Sequence, residues 1–191
     1  MSNSDSDFFL QQMADVTPLK QDAITTPSTN AKNALNNFYK QQSSKQISLL
    51  NDALTNTQVT FIAPDDYISF KSPGLQAGVF KNLRLAKYDI DAKIELQGLS
   101  IKEAQDTLIN ELTQCHRRNI RVVLIKHGVG KENSEQPAKM KSYVNAWLVH
   151  FPFVLGFHTA QTHHGGYGAV YVLLSKNEQA KLANREIHAK K

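Results

Sequence analysis

The stretch Asp89-Ile90-Asp91-Ala92-Lys93-Ile94-Glu95-Leu96-Gln97-Gly98-Leu99-Ser100-Ile101-Lys102-Glu103-Ala104 changes its hydrophobic period halfway along. Ile90, Ala92, Ile94 and Leu96 alternate with Asp89, Asp91, Lys93, Glu95 and Gln97, the period of a half-exposed strand. Gly98 ends it. Ser100 followed by Glu103 is a capping box, and Ile101, Ala104, Leu108, Leu112 and Cys115 then fall on one helical face.

Toward the C-terminus, Ile120 to Lys126 is a β-branched run, expected as a more buried strand ending at His127-Gly128-Val129-Gly130. Pro137 suits a first helical turn, and Met140, Val144, Trp147 and Leu148 make a second amphipathic helix. Phe153 to Thr159 and Ala169 to Ser175 read as two further strands joined through His163-His164-Gly165-Gly166-Tyr167-Gly168. The order β-α-β-α-β-β specifies an α/β fold. The one polar side of the first strand favours a two-layer sandwich with helices on one face and water on the other. Crossover handedness makes the sheet mixed, with its first three strands parallel.

Toward the N-terminus the signal weakens. Residues 61–88 are expected as a lead-in of loop plus a short helix around Val79 to Ala86. Residues 21–60 are roughly half Asn, Gln, Ser and Thr and read as a flexible polar linker, too poor in apolar area to offset ordering entropy. Phe8, Phe9, Met13, Val16 and Leu19 make residues 1–20 a short docking motif for a protein partner, or a helical turn packed on its own domain. The folded domain is expected over 89–176, with a basic helix over 177–191.

The 191 residues carry 22 Lys+Arg against 17 Asp+Glu. Residues 1–60 hold four Lys against five Asp, whereas residues 61–191 hold 18 basic and 12 acidic residues. The positive field therefore belongs to the later part and favours anionic partners. No apolar run approaches the roughly 20 residues of a membrane span, and the Ser/Asp-rich start lacks a secretory signal, so a cytoplasmic protein is expected. The single cysteine, Cys115, excludes an internal disulfide and reads as core.

Parallel strands bring their carboxyl ends to one edge, the usual ligand edge of open α/β sheets. Three glycine-bearing turns then converge: Gln97-Gly98, His127 to Gly130, and His163 to Gly168. Gly128, Gly130, Gly165, Gly166 and Gly168 would let backbone N–H groups approach a phosphate, with Lys126, Lys131 and His164 as further donors. The plainer alternative is that these glycines merely make tight turns. Glu95 could position a divalent cation such as Mg²⁺ or activate water, or be a solvated face residue. His127 could be donor, base or acid. His163-His164 could bind metal only if a turn made the two side chains converge. His116, His150 and His188 read as surface residues.

As a set, these motifs resemble the Smr (small MutS-related) domain. Ile94-Glu95-Leu96-Gln97-Gly98-Leu99-Ser100 sits where the family has a Leu-Asp-Leu-His-Gly-Leu-like strand and turn. His127-Gly128-Val129-Gly130 matches its Thr/His-Gly-x-Gly motif and Gly165-Gly166-Tyr167-Gly168 its Gly-Gly-x-Gly motif. Phe8 to Leu19 and Gly74 to Val79 are similar to the stand-alone proteobacterial branch. The resemblance implies a fold like the C-terminal domain of translation initiation factor 3. It also implies nucleic-acid binding with endonuclease activity on DNA, or on RNA in ribosome-linked relatives. Glu95, His127 and His163 are then the candidate catalytic residues. Gln97 replaces the family histidine and cannot move a proton near neutrality, which raises a rival: a non-catalytic nucleic-acid or ribosome-binding module.

Overall fold

The computed structural model describes residues 44–130 and 136–189. The docking motif expected over 1–20 and Lys131 lie outside them. In chain order the elements are a helix α1 over residues 44–55, then β1 (Ser69–Lys71), α2 (Ala77–Arg84), β2 (Ala92–Glu95), α3 (Ile101–Arg117) and β3 (Val122–Lys126). They continue with α4 (Lys139–Leu148), β4 (Val154–Thr159), β5 (Ala169–Leu174) and α5 (Glu178–Ala189). Two short 3-10 turns, Thr162–His164 and Gly166–Gly168, link β4 to β5. No helix among the described residues is long and apolar enough to cross a membrane.

The five strands form one mixed sheet in the order β1-β4-β5-β3-β2. Of the three strands expected to be parallel, only β2 and β3 pair that way. The third, β4, does not adjoin β3, because β5 lies between them and is antiparallel to both. The register still gathers the relevant ends at one rim, since Glu95 is opposite Lys126, Lys126 opposite Ala169, and Thr159 opposite Val170.

The capping box forms as the sequence specifies. Ser100 Oγ accepts from the Glu103 N–H at 3.3 Å, and the Glu103 carboxylate accepts from the Ser100 N–H at 2.9 Å, a cap that contributes about 1 kcal/mol. Ala104, Leu108, Leu112 and the free Cys115 face the core. There they meet Ile94, Val123, Ile125, Val170 and Val172 on one side of the sheet. The opposite side is not open to water as expected. Val122, Leu124, Tyr171 and Leu173 are buried there with Leu75 and Leu83 of the lead-in and α2. Exposure on that side is confined to the two edges of the sheet, at Lys93 and Glu95 of β2 and at Ser69 and Lys71 of β1.

The linker expected through residue 60 is helical over 44–55. Its average composition is polar, but Leu50 and Leu54 are buried one turn apart, and that spacing is sufficient for a docked helix. The buried Gln105 donates to Asn51 Oδ1 at 2.8 Å and to Thr55 Oγ1 at 2.9 Å, and Trp147 Nε1–H donates to the Leu54 carbonyl at 3.2 Å. Helix α4 starts at Lys139, not at Pro137, because Ala138 takes a left-handed conformation with φ of 53°. His116, expected at the surface, is half-buried with its ring stacked 4.5 Å from that of Phe153.

Candidate functional site

The three glycine-bearing turns touch. His127 and Gly128 N–H groups both donate to the Gly168 carbonyl at 2.9 Å, joining the second turn to the third. The Gln97 side chain packs over Gly128, where an added Cβ would lie 3.5 Å from Gln97 Cγ, joining the first to the second. Two glycines sit where a side chain would be tightly crowded. At Gly168 a Cβ would stand 3.2 Å from Val129 Cγ2, and at Gly130, with φ of +66°, it would meet the Ala138 backbone at 3.1 Å.

Four of the five glycines expected as phosphate donors have their N–H groups already engaged within the protein. Gly128 N–H is committed to Gly168 O, Gly165 N–H to Thr162 O, Gly166 N–H to Gln161 O, and Gly168 N–H to Gly165 O. These groups hold the rim together and are spent in doing so.

Side-chain alternation divides the candidates between two faces. Leu96 belongs to the helix-covered core, so Glu95 and Gln97 point the other way. Glu95 and Lys126 are register partners, and their side chains pair, Nζ to Oε1, at 3.0 Å. Both are partly exposed, so the pair stabilises by no more than about 1 kcal/mol. The same face carries Lys93, in register with Leu124, which is itself opposite Tyr171. Tyr171 Oη accepts from the Gln161 N–H at 3.1 Å and lies 2.6 Å from His164 Nδ1. The Tyr171 hydroxyl and His164 Nδ1 thus share a hydrogen bond that holds the ring in place. Desolvation, with the charges of His163 and Lys93, lowers the pKa of His164 below the ordinary imidazole value. His163 is exposed, its ring centroid 4.1 Å from that of His164.

His127 is on the opposite side. It shares with Leu96, Leu99, Ser100, Ile101, Lys139 and Met140 a cleft of about 420 Å³ between the starts of α3 and α4. It is only 4% exposed. Its Nδ1 lies 2.8 Å from the Gly128 carbonyl, which can only accept, so Nδ1 carries the proton. Nε2 is buried without a partner. Burial pushes its pKa down to about 4, the nearby Lys141 charge adding to the effect and the Gly128 hydrogen bond opposing it. A neutral, buried ring cannot donate charge to a phosphate or share a substrate atom with Glu95 across the sheet. The expected pairing of Glu95 with His127 is therefore not made: the two lie on opposite faces of the sheet.

Among the described residues no three His, Cys, Asp or Glu side chains gather as a metal set. The sequence reading also missed Lys93, although its spacing of two from Glu95 puts both on one strand face.

The family model described as the Smr domain matches residues 94–175. Along its full length the chain is 34% identical, over 195 residues, to the probable DNA endonuclease SmrA of Escherichia coli (strain K12), covering 99% of that protein. It is 29% identical over 184 residues to the ribosome rescue factor SmrB of Vibrio cholerae serotype O1, covering 93% of this chain and 91% of that one. The crystal structure of YdaL, a stand-alone small MutS-related protein from Escherichia coli, superposes with a TM-score of 0.60 at 34% identity. That match covers 68% of this chain and 99% of the other.

Proposed function

The chain belongs to the Smr domain family, and from that premise we propose that it is an endonuclease gripping a polynucleotide at the glycine rim and hydrolysing a phosphodiester there. DNA is the first substrate of this reading and RNA the second. One observation supports it: the register opposes Glu95 to Lys126 and Lys126 to Ala169, so a carboxylate and two lysines share the sheet face on which Tyr171 contacts His164. On this reading Lys93 supplies the free positive charge for the phosphate, and Lys126, partly neutralised by Glu95, adds the remainder. Glu95 orients and deprotonates the attacking water, and His163 protonates the leaving oxygen as the P–O bond breaks. Gln97 can hydrogen-bond the substrate but moves no proton, so the third turn must supply the acid.

The donor set does not fit a divalent ion held by the protein alone. The rim's carboxylate is engaged by Lys126, and no second acid stands beside it on the strand. The test is incubation of the purified protein with supercoiled plasmid and with structured RNA, in Mg²⁺ and in EDTA. Cleavage that persists in EDTA and disappears in Glu95→Gln and His163→Ala supports the reading.

The second reading is a non-catalytic ribosome-binding or nucleic-acid-binding module, favoured by Gln97 and by the resemblance to a protein named a ribosome rescue factor. Salt-sensitive binding without cleavage supports that one. In either case we place the protein in the cytoplasm and assign the 1–20 motif to a protein partner.

A further inference from the structure

Beyond the third turn lies a surface that the cleavage chemistry does not use. Tyr67, 65% exposed, has its ring centroid 5.0 Å from that of Tyr167 and 6.0 Å from that of His158. Two adjoining hollows open beside it. The larger, about 640 Å³, is walled by Tyr67, His158, Gln161, Lys81, Arg84 and Leu85. The smaller, about 130 Å³, runs from Tyr67 and His158 along the third turn to Thr162, Gly166 and Tyr167. The walls are fixed in place. His158 Nδ1–H donates to the Thr159 carbonyl at 2.8 Å, and the Gln161 side-chain amide donates to the Arg84 carbonyl at 2.6 Å.

Charge gives the groove a polarity. Lys81 and Arg84 line the larger hollow, whereas the smaller one is lined, among the described residues, by no lysine or arginine and ends at Thr162, Gly166 and Tyr167. A phosphate is therefore favoured on the Lys81–Arg84 side and an uncharged planar group on the tyrosines. That combination of the exposed Tyr67 ring, a hollow and one basic wall suits a nucleotide whose base is free to stack. A base within a duplex presents only its edge, and freeing its face costs a few kcal/mol of unstacking.

We propose that this groove is a stacking site for an unpaired nucleotide beside the scissile rim, so that the preferred substrate contains a single-stranded or everted position. The proposal rests on the nucleic-acid reading of the rim and adds the class of strand.

The experiment measures binding of fluorescein-labelled oligonucleotides by anisotropy, as single-stranded DNA, single-stranded RNA and fully paired duplex of one sequence. Tyr67→Ala is expected to weaken unpaired-strand binding about tenfold or more, the loss of one base–aromatic stack, and to leave duplex binding unchanged. Tyr67→Trp is expected to restore it, with emission of the new indole quenched on saturation. The two single-stranded arms show whether DNA or RNA occupies the groove. Unchanged unpaired-strand binding by Tyr67→Ala, with Lys93→Ala still weakening it, overturns the stacking site and leaves the rim reading standing. Absence of binding to every oligonucleotide by the unaltered chain overturns both. A loss equal on duplex and unpaired strand overturns the proposal as well.

Discussion

His127 is a buried imidazole whose proton sits on Nδ1 and whose Nε2 meets neither solvent nor partner. In the unfolded chain its pKa is near 6.5, and folding lowers it to about 4. The unfolded state therefore binds more protons between those values, and stability falls as pH drops through that window. The full contribution, about 3 kcal/mol, is present above pH 6.5 and lost by about pH 4. Desolvation lowers His116 and His158 as well, so they act in the same direction. Urea midpoints measured from pH 7 to pH 4 should fall, and His127→Leu should flatten the part of the slope due to this ring. Lys141 is a second residue that the sequence conceals. It has no exposed surface, and its ammonium donates to the Ala63 carbonyl at 3.1 Å, to Pro64 O at 2.9 Å and to Asp66 O. Lys141 precedes the buried Val144 by three positions and Leu148 by seven, which turns it inward on α4 despite its charge. Lys141→Met keeps the stem but leaves those carbonyls without a donor. It should cost about 3 kcal/mol in urea unfolding at pH 7.

At the level of elements, α1 shows how a local signal disappears in an average. Asn, Gln, Ser and Thr dominate residues 21–60, yet Leu54 is 2% exposed and the α1 backbone accepts the Trp147 indole proton. Leu54→Ala should destabilise the chain by about 2 to 4 kcal/mol. A truncation beginning at residue 61 should red-shift Trp147 emission, because it strips the indole of partner and cover. Unchanged fluorescence would show that α1 is dispensable to the core. The strands and α3 were legible because each carries its own period, and the capping box because it is written in two residues. Strand β1, three residues long and partly exposed, has too little pattern to read and exists only because β4 offers it an edge. The covered second face was hidden for a related reason. The polar side of β2 describes a flank of the sheet, whereas β5 is buried at all six positions, and only tertiary packing of α2 shows why. Convergence of the turns was legible from chain order. The division of Glu95 and His127 between faces was not, although the one-residue step from Lys126 to His127 already contains it.

Across the molecule, the basic excess after residue 60 is tempered at the rim by the Glu95–Lys126 pair, which on the proposed reading makes binding and cleavage separable. Lys126 cannot act as a free cation while its ammonium is 3.0 Å from a carboxylate. Each lysine that newly engages a phosphate releases one condensed counterion, steepening the salt dependence by about 0.7 to 0.9 per contact. Lys126→Ala should therefore change the slope by less than one, because it deletes a partly neutralised charge and exposes Glu95 to the incoming strand. Glu95→Gln should do the reverse. It removes the negative charge, frees Lys126 for the backbone, and should raise affinity with a slope steeper by about one while abolishing cleavage. Titrations at several salt concentrations, beside the plasmid and RNA assays, check both halves at once. If Glu95→Gln weakens binding as well, the carboxylate is positioning the strand instead of acting at the phosphate. If it leaves cleavage intact, the proton must be taken by the third turn, where Tyr171 already holds the His164 ring by a 2.6 Å hydrogen bond.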